Sequence, residues 1–179
     1  MKSLTDYIVE AYEYNYNISN VPKYTSTGTD KVGKANNKTN YTVQPKTKDE
    51  LKEIIKDTFE HKQYDLNFID TSKITDMSEL FCLGVKLRKF DKSIQKSINI
   101  SDWDVSNVKD MNHMFHKCTY FNCDLSRWDV SNVKDMSYMF QFCYDLNCDL
   151  SGWNVSNVLD MRDMFYGCNK LTIPDWYKE

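Results

Sequence analysis

The sequence predicts an α+β solenoid, and three observations lead to that prediction. The phrase WDVSNVKDM occupies residues 103–111 and recurs unchanged at 128–136, and the variant WNVSNVLDM follows at 153–161. Consecutive copies are 25 residues apart and align without gaps. Because a unit of this length cannot bury its own apolar face, consecutive units are expected to stack and share one core.

The recurring apolar residues are the predicted core, one residue per unit in each column. The columns are Trp103, Trp128 and Trp153; Val108, Val133 and Val158; Met111, Met136 and Met161; Phe115, Phe140 and Phe165; and Cys118, Cys143 and Cys168. The VSNVxDM stretch of each unit is typical of a short strand, and MFxxC is typical of a helical turn. The predicted boundaries are a degenerate coil at 65–97, full coils at 98–122, 123–147 and 148–172, and a terminal cap at 173–179.

A capping helix is predicted at 46–64, ahead of the first coil. Thr47 followed by Glu50 forms a capping box, and the apolar residues after it lie on one helical stripe. That stripe can cover the open end of the first coil, which otherwise exposes apolar surface.

Two different segments precede this helix. Residues 13–45 are rich in Asn, Thr, Lys and Tyr without an apolar period, which predicts a flexible linker. Residues 1–12 show apolar spacing typical of a short amphipathic helix.

Composition excludes several classes of protein. The net charge of −3 argues against a broad nucleic-acid-binding face. No run approaches the 18 apolar residues that a membrane-spanning helix needs, and no secretion signal is apparent. We therefore expect an intracellular protein with no nucleic-acid partner and no membrane span.

The repeated phrase resembles the BspA-type leucine-rich repeat, which also occurs in Mycoplasma lipoprotein-associated surface proteins. The resemblance covers residues 45–179 and is carried by the pattern WDVSNVxDMxxMFxxCxxxNxDLS. It implies a right-handed leucine-rich-repeat-like solenoid and a role in protein contact, often adhesion.

The N-terminus is similar to the short capsid-targeting peptides of internal proteins in T-even-type phages. This likeness is carried by MKSLTDYIVEA and implies cleavage between Glu10 and Ala11. It implies an alternative location, the interior of a virion.

The cysteine columns allow two interpretations. Neighbouring strands about 4.8 Å apart would bring stacked thiols within disulfide range. However, a column of three thiols cannot pair completely, and parallel side chains do not point at one another. Buried free thiols acting as small apolar side chains are favoured.

Metal binding and catalysis have weak sequence support. His113, His116 and Cys118 lack the four paired ligands of a typical zinc site, and the aspartate columns lack the glycine-rich turns of calcium-binding repeats. No phosphate-binding loop or nucleophile motif is present. We expect no cofactor, no metal and no enzymatic activity.

The positions that vary between units indicate an interaction surface. Packing does not constrain these positions, yet several are aromatic, as is typical of interface anchors. The candidate residues are Tyr120, Tyr138, Phe142, Tyr144, Tyr166, His113 and His116. The predicted function is non-enzymatic protein binding, and the alternative is a phage structural or packaged protein. The aromatic residues could instead only shield neighbouring units.

Overall fold

The computed structural model describes residues 43–82 and 92–178. These ranges contain helix α1 at Lys48–Glu60 and helix α2 at Lys92–Ser97, while the other residues form turns and irregular backbone. Isolated parallel bridges join Val43 to Ile69, Asp65 to Asn99, Asp76 to Asp110, Asp110 to Asp135, and Asp135 to Asp160. The predicted helix at 1–12, the processing site at Glu10 and Ala11, and almost all of the linker at 13–45 lie outside the described residues.

The predicted α+β solenoid with leucine-rich-repeat-like coils is wrong. The described residues hold two short helices and single bridges, with no sheet. The backbone turns too often for a strand to extend: the amide of Val108 donates to the carbonyl of Val105, and that of Met114 to Met111. Such closely spaced turns are incompatible with continuously extended dihedrals. Each VSNVxDM stretch is therefore a turn followed by one bridging aspartate, not a strand.

Helix α1 forms where its sequence signals lie. The Thr47 side chain accepts the amide of Glu50 at 3.2 Å, and the Glu50 carboxylate accepts the amide of Lys46 at 2.7 Å. The first bond satisfies a first-turn amide that has no partner within the helix, and the second ties the residue before the N-cap to the helix. Leu51, Ile54 and Ile55 are buried on one face of the helix, so burial and capping both favour this element.

The core is one cluster of buried apolar side chains. It contains almost all the residues of the predicted columns, including the three tryptophans and the three phenylalanines. Val158 and Met161 differ from their counterparts because they are only partly buried. Both lie in the last unit of the sequence.

Candidate functional site

The tryptophan indoles are committed to structural hydrogen bonds. Each indole Nε1 donates to a backbone carbonyl: Trp103 to Leu66 at 2.9 Å, Trp128 to Ile100 at 3.2 Å, Trp153 to Leu125 at 3.0 Å, and Trp176 to Leu150 at 2.9 Å. Because these donors are satisfied within the protein, the column serves packing and not ligand recognition.

The cysteine column is also structural. All six cysteines are free thiols. The Sγ atoms of Cys118, Cys143 and Cys168 each donate at 3.1 Å to a backbone carbonyl, that of Phe81, Phe115 and Phe140 respectively. Burial raises the pKa of Cys118 and Cys143 well above the usual 9.0 and that of Cys168 to about 11. A thiol with a raised pKa is rarely a thiolate at neutral pH and is a poor nucleophile.

The repeated aspartates stabilise turns. The Oδ1 atom of Asp110 accepts the amide of Asn112 at 2.9 Å, and that of Asp135 accepts the amide of Ser137 at 2.8 Å. Bonds of this kind, two residues along the chain, are Asx turns. Among residues 43–82 and 92–178, no three His, Cys, Asp or Glu side chains are placed to share a metal ion.

Left-handed backbone occurs at regularly spaced positions. His113, Tyr138 and Asp163 have φ of 55°, 58° and 49°, and Lys117, Phe142 and Gly167 have φ of 63°, 63° and 82°. Bulky residues rarely adopt these angles, which are easiest for glycine. Tertiary contacts must therefore hold His113, Tyr138 and Phe142 in a strained backbone, a feature that is common at functional sites.

The structure brings six of the seven candidate interaction residues into one cluster, which we call the aromatic patch. Its members are His113, His116, Tyr138, Phe142, Tyr144 and Tyr166. Ring centroids lie 4.6 Å apart for His113 and Tyr138, 5.0 Å for His113 and His116, 6.1 Å for His116 and Phe142, 6.2 Å for Phe142 and Tyr144, and 5.4 Å for Phe142 and Tyr166. All six side chains are partly or fully exposed, with Tyr144 at 42% and Tyr166 at 59%.

Tyr120, the seventh candidate, lies in different surroundings. Lys92 Nζ is 5.2 Å from the centre of its ring, and Gln95 Oε1 of helix α2 accepts its amide at 2.9 Å. The sequence did not indicate this contact, because Lys92 and Gln95 belong to an insertion that interrupts the period of the units. Tyr120 is therefore positioned by α2.

The two histidines of the patch have different environments. The Nδ1 atom of His113 lies 2.7 Å from the Asn112 side-chain oxygen. His116 Nδ1 is buried and has no hydrogen-bond partner among the described residues. Burial lowers the pKa of His116, and the nearby His113 and Lys117 lower it further. His116 is therefore neutral at physiological pH, so a partner can cover the patch without burying a charged imidazole at this position.

Two features of this region were missed by sequence reasoning. Leu159 is 85% exposed and stands where the earlier units have Lys109 and Lys134. That departure from the repeated phrase was the available signal. Gly167 leaves room for the patch, because a Cβ atom there would lie 3.0 Å from Phe142 Cδ1.

No helix within the described ranges has the length and apolar character needed to cross a membrane. No curated protein and no solved structure matches the chain. A family described as Mycoplasma protein of unknown function, DUF285, matches residues 49–176. The leucine-rich-repeat solenoid that the sequence suggested is not supported by this family description or by the backbone. Because the match spans more than half of the chain, the protein belongs to the DUF285 family.

Proposed function

We propose that the protein is a non-enzymatic protein-binding module that contacts its partner through the aromatic patch. The supporting observation is the continuous set of ring contacts from Tyr138 through His113, His116 and Phe142 to Tyr144 and Tyr166. These rings are partly exposed, although the same units bury their tryptophans and phenylalanines.

Aromatic clusters of this kind suit a protein partner. Tyr and Phe provide a large contact area for little loss of side-chain entropy, and they are enriched in interface cores. The tyrosine hydroxyls offer hydrogen bonds at the edge of the apolar area. Strained backbone at His113, Tyr138 and Phe142 holds their side chains in place before binding, which lowers the cost of ordering them.

Protein binding without catalysis agrees with the chemistry of the site. The buried thiols have raised pKa values, and the tryptophan donors are satisfied by backbone carbonyls. The finer likeness to BspA-type repeats also supports a role in protein contact, since that resemblance implies adhesion or related binding.

A pull-down with the full chain tests the proposal. The variant Tyr138→Ala/Phe142→Ala/Tyr144→Ala removes the centre of the patch and should lose the partners that the wild type retains. The matched control, Tyr64→Ala/Phe68→Ala/Tyr120→Ala, removes three partly exposed aromatic side chains outside the patch and should retain them. Circular dichroism of both variants checks that they are folded. Retention of the same partners by the patch variant would refute the proposed surface.

Capsid packaging is the competing proposal and rests on the sequence of the first eleven residues. These residues lie outside the described ranges, so the sequence pattern MKSLTDYIVEA alone supports packaging. The intact mass of the protein from its native source distinguishes the two proposals. Loss of the first ten residues would favour packaging, and an uncleaved N-terminus would contradict it.

A further inference from the structure

The last unit of the sequence exposes apolar surface that the preceding unit buries. Val130, Val133 and Met136 are no more than 1% exposed. Their counterparts Val155, Val158 and Met161 are only partly buried, and the neighbouring Leu159 is 85% exposed. We call Val155, Val158, Leu159 and Met161 the terminal strip. Uncovered apolar surface of this kind is typical of a docking site.

Backbone donors beside the strip also lack partners among the described residues. In the preceding units the amide of Met111 donates to the carbonyl of Asp135, and that of Met136 to Asp160. The same pattern holds for two further positions in each unit. The amides of His113 and Tyr138 donate to the carbonyls of Ser137 and Arg162, and those of Phe115 and Phe140 donate to the carbonyls of Met139 and Met164. Within residues 43–82 and 92–178, the equivalent amides of Met161, Asp163 and Phe165 have no acceptor. A row of unpaired amides is a template for an additional backbone segment.

Residues 173–178 lie beside the strip and reach its Met161 end, where Tyr177 and Lys178 line an open cavity together with Met161. The Trp176 ring lies 6.4 Å from the ring of Trp153, and its indole donates to the Leu150 carbonyl. Trp176 therefore takes the tryptophan position next to Trp153, while the side chains of the strip stay partly or fully exposed. The VSNV segments of successive units lie side by side, with Asn132 bonded to Ser106 and Asn157 to Ser131, so a further VSNV-type segment fits the strip.

The N-terminal tail contains such a segment. Residues 16–21 read YNISNV, and residues 153–158 read WNVSNV, so four of six letters are identical and the other two exchange Trp for Tyr and Val for Ile. We propose that residues 18–21 of the chain's own tail dock on the terminal strip. In this arrangement Ile18 and Val21 cover Val155 and Val158.

A repeated side-chain bond fixes the register. Asn107 Nδ2 donates to the Ser72 carbonyl, Asn132 to Ser106 and Asn157 to Ser131, at 2.8–3.0 Å. The next bond of this series places the Asn20 amide on the Ser156 carbonyl. The unpaired amide of Met161 then faces the carbonyl of Lys23.

The tail departs from the phrase at Pro22 and Lys23. Pro22 stands where Lys134 and Leu159 donate their amides, so one bond of the series is lost. In the proposed arrangement the amides of Met161, Asp163 and Phe165 donate to the tail. These bonds need only carbonyls of the tail, so the missing amide of Pro22 does not affect them. Lys23 replaces the aspartate of an Asx turn, but its carbonyl still serves as an acceptor.

The chain's own tail can reach the strip. Twenty-one residues lie between Val21 and Val43, and this segment spans at most about 75 Å when fully extended. Asp76 and Asp160 are connected by three successive β-bridges. At the usual spacing of paired backbones, the distance between them is about 14 Å. A tethered segment has a millimolar effective concentration, so the same molecule outcompetes a second copy in dilute solution.

Amide hydrogen exchange of the full chain, measured by NMR, tests the inference. The substitution Val21→Asp places a charge on the apolar strip and should speed exchange of the Met161, Asp163 and Phe165 amides by about tenfold. The matched control Val32→Asp makes the same change in the same tail outside the phrase and should exchange like the wild type. Adding a synthetic peptide of residues 14–28, which includes the carbonyls opposite all three amides, to the Val21→Asp protein should restore protection.

Three results would overturn the inference. The first is exchange of these amides in the wild type as fast as in the Val21→Asp protein. The second is an equal effect of both substitutions. The third is protection that rises with wild-type concentration, because that behaviour assigns the strip to a second copy. Unchanged shifts elsewhere in residues 43–178 verify that each variant is folded.

Discussion

At the scale of single residues, backbone conformation determines how the patch is assembled. Tyr138 and Phe142 adopt positive φ although their types disfavour it, and Gly167 takes the same conformation in the next unit. The sequence marks these positions as variable between units, but it cannot indicate their φ angles. The left-handed conformation at Tyr138 and Phe142 is held by backbone hydrogen bonds that join their turns to the preceding and the following unit.

The two glycines of the last unit provide a matched test at this scale. Gly167→Ala should destabilise the protein by about 1–2 kcal/mol, because its φ of 82° disfavours a side chain and the new Cβ would meet Phe142 at 3.0 Å. Gly152→Ala should be neutral or slightly stabilising, since nothing lies within 4 Å of its added Cβ. Urea unfolding measures both effects. Equal stability of the two variants would contradict this account.

At the scale of elements, helix α1 shows what local sequence signals can specify. Thr47 caps the helix as predicted, the Glu50 carboxylate accepts the amide of Lys46 instead of that of Thr47, and the apolar stripe is buried. Lys48 adds a contact that the sequence did not indicate: its Nζ lies 2.7 Å from both Asp76 Oδ2 and Ser78 Oγ. The helix is thus tied to the turn at Asp76, which also bridges to Asp110.

Removing the cap isolates its contribution. Thr47→Ala should lower the free energy of unfolding by about 1 kcal/mol, because the Glu50 amide loses its acceptor. The control is Thr75→Ala. Thr75 is exposed, and among the described residues its backbone carbonyl accepts a hydrogen bond while its side chain makes none. Thermal unfolding followed at 222 nm reports both variants. A loss at Thr75 as large as that at Thr47 would remove the capping explanation.

At the scale of the whole molecule, the buried thiols link stability to pH. Burial raises the pKa of Cys118, Cys143 and Cys168, so the unfolded chain loses these protons first as pH rises. Their contribution to stability is therefore complete below the ordinary thiol value of 9.0 and falls as pH rises above it.

The expected result is a lower urea midpoint at about pH 10 than at pH 7. The variant Cys118→Ala/Cys143→Ala/Cys168→Ala should show a smaller decrease between the two pH values, whatever stability it loses at pH 7 through packing. An unchanged decrease would assign the alkaline effect to other groups. Alkylation at neutral pH should also spare Cys118 and Cys143 in the folded protein.

The sequence by itself determined most of the buried core and where helix α1 begins. Both properties depend on local patterns, since apolar side chains leave water wherever the period aligns them and capping acts within four residues. The sequence did not determine the backbone geometry, and the predicted strands and solenoid were wrong. Turn bonds within each unit compete with bonds between units, and only the tertiary structure shows the outcome: single bridges at the aspartates and left-handed residues between them. That geometry brings residues from 113 to 166 into one aromatic patch, which is a property of distances between units and not of their order along the chain.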